Sequence, residues 1–246
     1  MNIINIVSSV QTDILLPKIF MVFYWRTHQL SQKMLHYPTV FLQKNILLIK
    51  KLENLFCMPN KEIFYHGSCY LFNQFSLSFL GKGEGKSKFG HGIYITSSYQ
   101  TAALYASKAA KANNIADCYV YTVEVPALTL DNHLFSCNSV NPTVAKQVED
   151  ALSEKFPEKL PFPAEVKSKG KYFRKYLGNL LIHNIGTVKQ MISKTNAEAE
   201  MAVSEFLNNM GVIFLAWPQC QSKPNGDTNR AVLNVDDIKI LKVEKV

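Results

Sequence analysis

Two short stretches bring together residue types suited to holding a planar, positively charged ligand. EIFYHGSCYLFNQF (Glu62 to Phe75) carries His66-Gly67-Ser68 at the end of a strand-like run. FGHGIYITSSYQTAALYA (Phe89 to Ala106) ends a second strand and opens a helix. Tyr94 follows His66 by 28 positions, and Tyr105 follows Tyr94 by 11. A tyrosine on a strand and another on the next helix can converge on one ring from two sides. Aromatic faces attract a cationic ring more than a neutral one. The imidazole of His66 can hydrogen-bond a sugar hydroxyl, and a ligand amide can approach the backbone of Gly67 closely. Two tyrosines alone read as core; the His-Gly pair turns them toward a ligand.

Between these stretches lie Gly81, Gly83, Gly85, Gly90 and Gly92, five glycines in twelve residues. No Gly-Lys-Ser/Thr opens a helix at the spacing of a phosphate-binding loop, and no strand of a βαβ unit precedes the run. Two readings stay open. One is a solvated loop whose lysines face water. The other is a loop folding over an anion, with Lys82, Lys86 and Lys88 near its phosphates.

YHGS, then FGHGIYIT, then a helix with ALYA, resembles the NAD-dependent ADP-ribosyltransferases, in the histidine–tyrosine branch of diphtheria-type toxins and poly(ADP-ribose) polymerases. The order is most similar to the small transferase domains of phage and mobile-element polyvalent proteins. These also share a late helix ending like LNNMGV and a final strand pair like NRAVLNVDDIKIL (Asn229 to Leu241). The resemblance covers Glu62 to Val243, about three quarters of the chain. It implies an α+β fold of split antiparallel β-sheets with flanking helices. It further implies NAD as co-substrate with no metal, and a mono-ADP-ribosyltransferase that breaks the nicotinamide–ribose bond. His66 would bind the 2′-hydroxyl of the nicotinamide ribose, and the Gly67 backbone the carboxamide. Tyr94 and Tyr105 would stack on either side of the nicotinamide, with Ser68, Gly92 and Thr101 completing the nucleotide contacts. The acceptor stays unidentified, protein before nucleic acid. A degenerate module that binds NAD or ADP-ribose without turning it over is the alternative, and an α+β scaffold with core tyrosines is the third reading.

Three positions depart from the family pattern. The usual glutamate near the last-but-one strand falls on Asn229, a neutral amide that cannot act as a base. The polyvalent-type relatives often carry Asn there. Asp227 lies two residues earlier, on the same face if the strand extends so far, and would supply the missing charge. Chain-extending activity, which leans on the glutamate, is not expected. The helix serine of the polymerases is Ala102, with Thr101 beside it, and Arg230-Ala231 stands where relatives carry an aromatic and a β-branched residue.

These residues need elements to hold them. Strands are expected at Ile63–His66, Gly92–Thr96, Cys118–Val125, Val212–Leu215, Arg230–Val235 and Ile238–Val243, the last two joined by the turn chemistry of NVDD into a hairpin. Helices are expected at Ser98–Ala112, Pro142–Glu154, Tyr172–Ile182 and Asn196–Asn209, the last capped by Thr195-Asn196 and ended by Gly211. Strands at both ends with helices between them point to an α+β domain with antiparallel sheets. The insert Asn132 to Thr195 is the place for acceptor specificity. His91 reads as a loop side chain, His133 and His183 as structural, and Trp217 as core.

Residues 1–60 form an N-terminal extension before a catalytic domain at 61–246. The extension has no glycine and one amphipathic helix candidate, Val40–Phe56. It reads either as a helical prefix or as an over-extended start before Met58. Net charge is +8. Six of the Lys/Arg and two of the Asp/Glu lie in residues 1–57, leaving 21 basic against 17 acidic side chains in the rest. Both parts are therefore +4, and the charge is weak support for a polyanion partner. Five cysteines without a C-x-x-C pair fit neither a disulfide framework nor a zinc site. A reducing, cytoplasmic setting is expected, although secretion without a cleaved signal stays open. KIFMVFYW is too short to span a bilayer.

Overall fold

The computed structural model describes residues 60–79, 88–219 and 228–246. Compactness divides the chain into Met1–Met58 and Pro59–Val246; the described residues belong to the second unit. The helix expected at Val40–Phe56, the loop lysines Lys82 and Lys86, and Asp227 lie outside the described residues.

In chain order the elements are β1 (Lys61–Ser68), β2 (Ile93–Thr96), α1 (Tyr99–Ala112), β3 (Tyr119–Pro126), β4 (His133–Phe135), α2 (Pro142–Leu152) and α3 (Ala164–Lys167). There follow α4 (Gly170–Ile182), α5 (Val188–Ser193), α6 (Ala197–Asn209), β5 (Phe214–Pro218), β6 (Thr228–Val232) and β7 (Lys239–Lys245). The class is α+β, as the order of elements implied. Caps set the helix starts. Ser98 accepts from the Thr101 N–H at 3.3 Å and Asn196 from the Ala199 N–H at 2.8 Å. Gly211, at φ +84°, lies just past the end of α6 in the left-handed conformation that glycine adopts most readily.

The strands form one seven-stranded sheet in the order β4-β5-β6-β2-β1-β3-β7. It is mixed, because β4 runs parallel to β5. That corrects the all-antiparallel expectation. Three residues, HLF, are too few to show a period, so β4 carries no sequence signal. The expected hairpin of β6 and β7 is also corrected. β6 is held on both edges, by β2 and β5, so it has no edge left for β7. NVDD forms a single 3₁₀ turn at Val235–Asp237 instead, and β7 crosses to the free edge of β3. The burial patterns fit: the end of β6 is closed in, whereas every position of β7 is exposed or half-buried, as on an edge strand.

Alternation along the central strands splits the core between the two faces. Leu215, Trp217, Ala231 and Leu233 join the side chains of α2, α4 and α6. Phe64, Ile93, Ile95, Tyr121, Phe214 and Val232 form the opposite cluster. A strand buried on both faces reads as a continuous apolar run, which is the pattern of FLAW in β5. Helix α4 seats tightly on α6, where a Cβ on Gly178 would meet the Ala199 carbonyl at 2.6 Å. Among the described residues no helix is long and apolar enough to cross a membrane.

Candidate functional site

Strands β1 and β2 meet in a single register pair, Tyr65 with Thr96. On its other side β1 runs through eight paired residues with β3. The sheet therefore opens immediately beyond Tyr65, with His66 and Gly67 on one side of the gap and the backbone of Tyr94 on the other.

Backbone direction fixes what faces the gap. The Ser97 N–H donates to the Thr228 carbonyl at 3.1 Å, so Thr96 and Asn229 are a non-hydrogen-bonded pair, and Thr96 turns its own N–H and C=O toward β1. Tyr65 answers it. Two residues on, Gly67 turns its N–H and C=O the same way, into the gap, where β2 no longer pairs with β1. The Cα of Gly67 is pressed against α1: a Cβ there would meet the Ala102 carbonyl at 2.0 Å and the Ala106 nitrogen at 2.8 Å. Only glycine lets the helix come this close, and among the described residues no strand pairs with Gly67 on the side of the gap.

His66 bridges the gap. Its Nδ1 lies 2.7 Å from the Tyr94 carbonyl, so Nδ1 carries the proton and donates. The imidazole is packed edge-on against Phe75 at 5.1 Å and lies near Phe72 and Tyr121. Burial pushes its pKa below the ordinary 6.5, with the Tyr94 carbonyl opposing more weakly. The ring is neutral at pH 7, and with the proton on Nδ1 its Nε2 is a hydrogen-bond acceptor. Among the described residues no side chain or backbone group bonds Nε2.

Tyr94 leaves β2 on the opposite face from His66. Its hydroxyl donates to the Gly90 carbonyl at 2.8 Å and accepts from the Phe89 N–H at 3.2 Å. Its ring meets Trp217 edge-on at 5.2 Å, and burial raises its pKa to about 12. Trp217, 8 % exposed, also stacks flat on Phe89 at 4.2 Å, which agrees with its reading as core. Tyr105 is different. It is 58 % exposed on α1, with the Lys108 ammonium 5.8 Å from its ring centroid. The two tyrosines thus stand in unlike surroundings, one tied into the fold and one free at the surface.

Other expected residues have structural work that their sequence context did not reveal. The Ser68 hydroxyl accepts from the Tyr70 N–H at 3.0 Å. Gly92 lets β2 approach β6, since a Cβ would meet the Val232 carbonyl at 2.7 Å. The Thr101 hydroxyl is taken by the Gln219 amide. Asn229 pairs with Thr96 on one side and Trp217 on the other, and its Oδ1 is buried without a hydrogen-bond partner among the described residues. Gln219 Oε1 is in the same state. An orphaned buried carbonyl is costly, so both oxygens mark acceptors that a donor-bearing ligand would satisfy. Gln219 was not legible in advance: it follows Trp217-Pro218 in a stretch with no periodicity.

A small cleft of about 10 Å³ lies elsewhere, between β4, β5 and α4, lined by Phe89, Leu134, Gly170, Lys171, Arg174 and Leu215. It has room for one water and contains none of the expected site residues. Among the described residues no three His, Cys, Asp or Glu side chains come together as a metal site. No family model, curated protein or solved structure matches the chain.

Tyr94→Phe tests the tie between β2 and the loop stem. It leaves the Phe89 N–H and the buried Gly90 carbonyl without their partner, an expected cost of about 1–3 kcal/mol. At roughly 2–4 °C per kcal/mol for a chain of this size, a thermal melt should fall by several degrees. An unchanged melt would mean that water replaces the hydroxyl at no cost.

Proposed function

We propose that the chain is a mono-ADP-ribosyltransferase that uses NAD, with the gap between β1 and β2 as its nicotinamide–ribose site. The observation that carries this reading is the His66–Tyr94 bridge. It holds a neutral imidazole at the gap with Nε2 able to accept from a ribose hydroxyl, beside a Gly67 backbone free to bond an amide. Both are roles that the resemblance implies. The seam of one residue pair likewise supports the split-sheet form of the α+β fold.

In the reaction the C1′–nitrogen bond breaks, and its electron pair leaves with the nicotinamide ring, which becomes neutral. Positive charge develops on C1′ and the ring oxygen, as in glycoside cleavage. An acceptor nucleophile then bonds to C1′ and releases its proton to solvent or a neighbouring base. His66 orients the ribose, and the Gly67 backbone orients the leaving group. Asn229 presents a neutral dipole near the forming cation but takes no proton. Tyr105, exposed as it is, is available to cover the nicotinamide ring. The acceptor is a protein first and a nucleic acid second.

Purified protein incubated with labelled NAD and cell lysate should release nicotinamide and label a macromolecule. Folded protein giving neither result would sink the proposal. A second reading, an NAD-binding module without turnover, is favoured by the neutral Asn229. Calorimetric binding of NAD with no nicotinamide released over hours would establish it instead. A substitution series separates the charge from the amide. Asp227→Ala should lower transfer by the order of 10²-fold, whereas Asn229→Asp should keep appreciable activity. If Asp227→Ala matches the parent while Asn229→Ala is dead, the amide acts alone.

A further inference from the structure

The glycine-rich stretch returns to the sheet through Lys88, Phe89 and Gly90, and this return is fixed from the helical side. Arg174 of α4 donates from Nη2 to the Lys88 carbonyl at 3.3 Å. A Cβ on Gly90, whose φ is +119°, would meet Leu215 Cδ1 at 2.2 Å and Arg174 Nη1 at 2.9 Å. Arg174 is 4 % exposed and forms an ion pair with Glu200 of α6, Nε to Oε2, at 3.1 Å. The other Glu200 oxygen accepts from the Thr195 hydroxyl at 2.5 Å. The Gly90 carbonyl in turn accepts from Tyr94, whose own carbonyl holds His66.

A buried charge pair adds little over apolar side chains of similar shape, so stability alone does not account for Arg174 and Glu200. What the guanidinium does that an apolar group would not is hold a loop carbonyl. We propose that Arg174, oriented by Glu200, is a positioning residue for dinucleotide binding: it sets where the glycine-rich stretch rejoins the sheet and, through Gly90 and Tyr94, fixes the wall of the gap that holds His66. This inference rests on the NAD reading above for its functional consequence, although the anchoring itself is measured without NAD.

The test compares the full chain with Arg174→Met/Glu200→Leu and with Arg174→Lys. The double variant removes both buried charges together, so neither is left unpaired. It should melt close to the parent. Its KM for NAD should rise at least tenfold while kcat stays within about threefold. Amide exchange at Phe89 should quicken at least tenfold, with Val232 in the central strand unchanged as the reference. Arg174→Lys keeps the charge without the planar fork and should fall between the parent and the double variant. Parent-like KM and parent-like exchange at Phe89 in the double variant would overturn the proposal, as would a fall in kcat at constant KM. If the double variant does not fold, Arg174→Lys carries the same readings. If the parent releases no nicotinamide, the NAD reading fails by itself. Exchange at Phe89 then still decides: faster in the variants supports the anchoring, and equal rates overturn it.

Discussion

Gly67→Ala is expected to destabilise the protein by about 3 kcal/mol or more, a fall in melting temperature of roughly 6–12 °C for a chain of this size. The added methyl would sit 2.0 Å from the Ala102 carbonyl and 2.8 Å from the Ala106 nitrogen, both of them backbone atoms. Neither can rotate aside, so α1 must lift from β1 as a body. Ala102 and Ala106 are 1 % and 0 % exposed, and lifting the helix would uncover both. Gly211→Ala is the control: it lies at φ +84° with no atom within 4 Å of its would-be Cβ. That change should cost only the left-handed conformation, roughly 1–2 kcal/mol. Thermal and urea melts of the two variants measure the difference. If Gly67→Ala melted with the parent, the close seating of α1 would be wrong, and so would the route by which Gly67 keeps its backbone open.

The second large effect is on the proposed transferase activity. His66→Ala should reduce nicotinamide release at least about 10³-fold while leaving the fold intact, because it removes both the bridge to Tyr94 and the acceptor at the gap. A pH profile adds a sign. Burial lowers the folded pKa of His66 below 6.5, so the neutral acceptor persists somewhat below that value and, on the proposed reading, affinity for NAD should decline only as pH falls further. Stability moves the same way. As pH drops through 6.5 the unfolded chain takes up the proton first, and the folded state loses ground down to the lowered folded pKa; above 6.5 this residue contributes no pH dependence. His66→Gln should flatten that part of the stability curve. A rise in stability on acidification through the same window would contradict the assignment.

The fold was legible where periodicity is strong and local. YVYTVEV alternates and is β3; SSYQTAALYA begins with its cap and is α1. What was not legible is pairing at long range. NVDD has the chemistry of a tight turn, yet the neighbour of β6 is decided by which edges are vacant, a property of the assembled sheet. The site divides the same way. His66 and Gly67 were named from type and spacing, and both lie at the gap. Thr101 was not anticipated as a partner for Gln219, which lies 118 residues along the chain. Nor was the Tyr94 hydroxyl anticipated as a tether of nearby Gly90, because aromatic residues on a strand carry no signal of what their hydroxyls bond. Arg174 and Glu200 carried no sequence signal, since charged residues on helices ordinarily face water.

The central place of β6 governs when the domain can exist at all during synthesis. Its residues 228–232 are made after those of β1 to β5, yet they sit between β5 and β2. Until they emerge, β2 is without its main neighbour and meets β1 in one residue pair only, while β5 is without its antiparallel partner. The nascent chain must therefore carry FLAW and IYIT each with an edge open until residues 228–232 are made, then insert that strand between two older ones. Closures of such long sequence separation are slow, and exposed strand edges invite pairing with other chains in the meantime. A ribosome stalled before Thr228 would hold a chain whose helices can form but whose sheet cannot join, and truncation at that point should yield aggregate rather than a smaller folded domain.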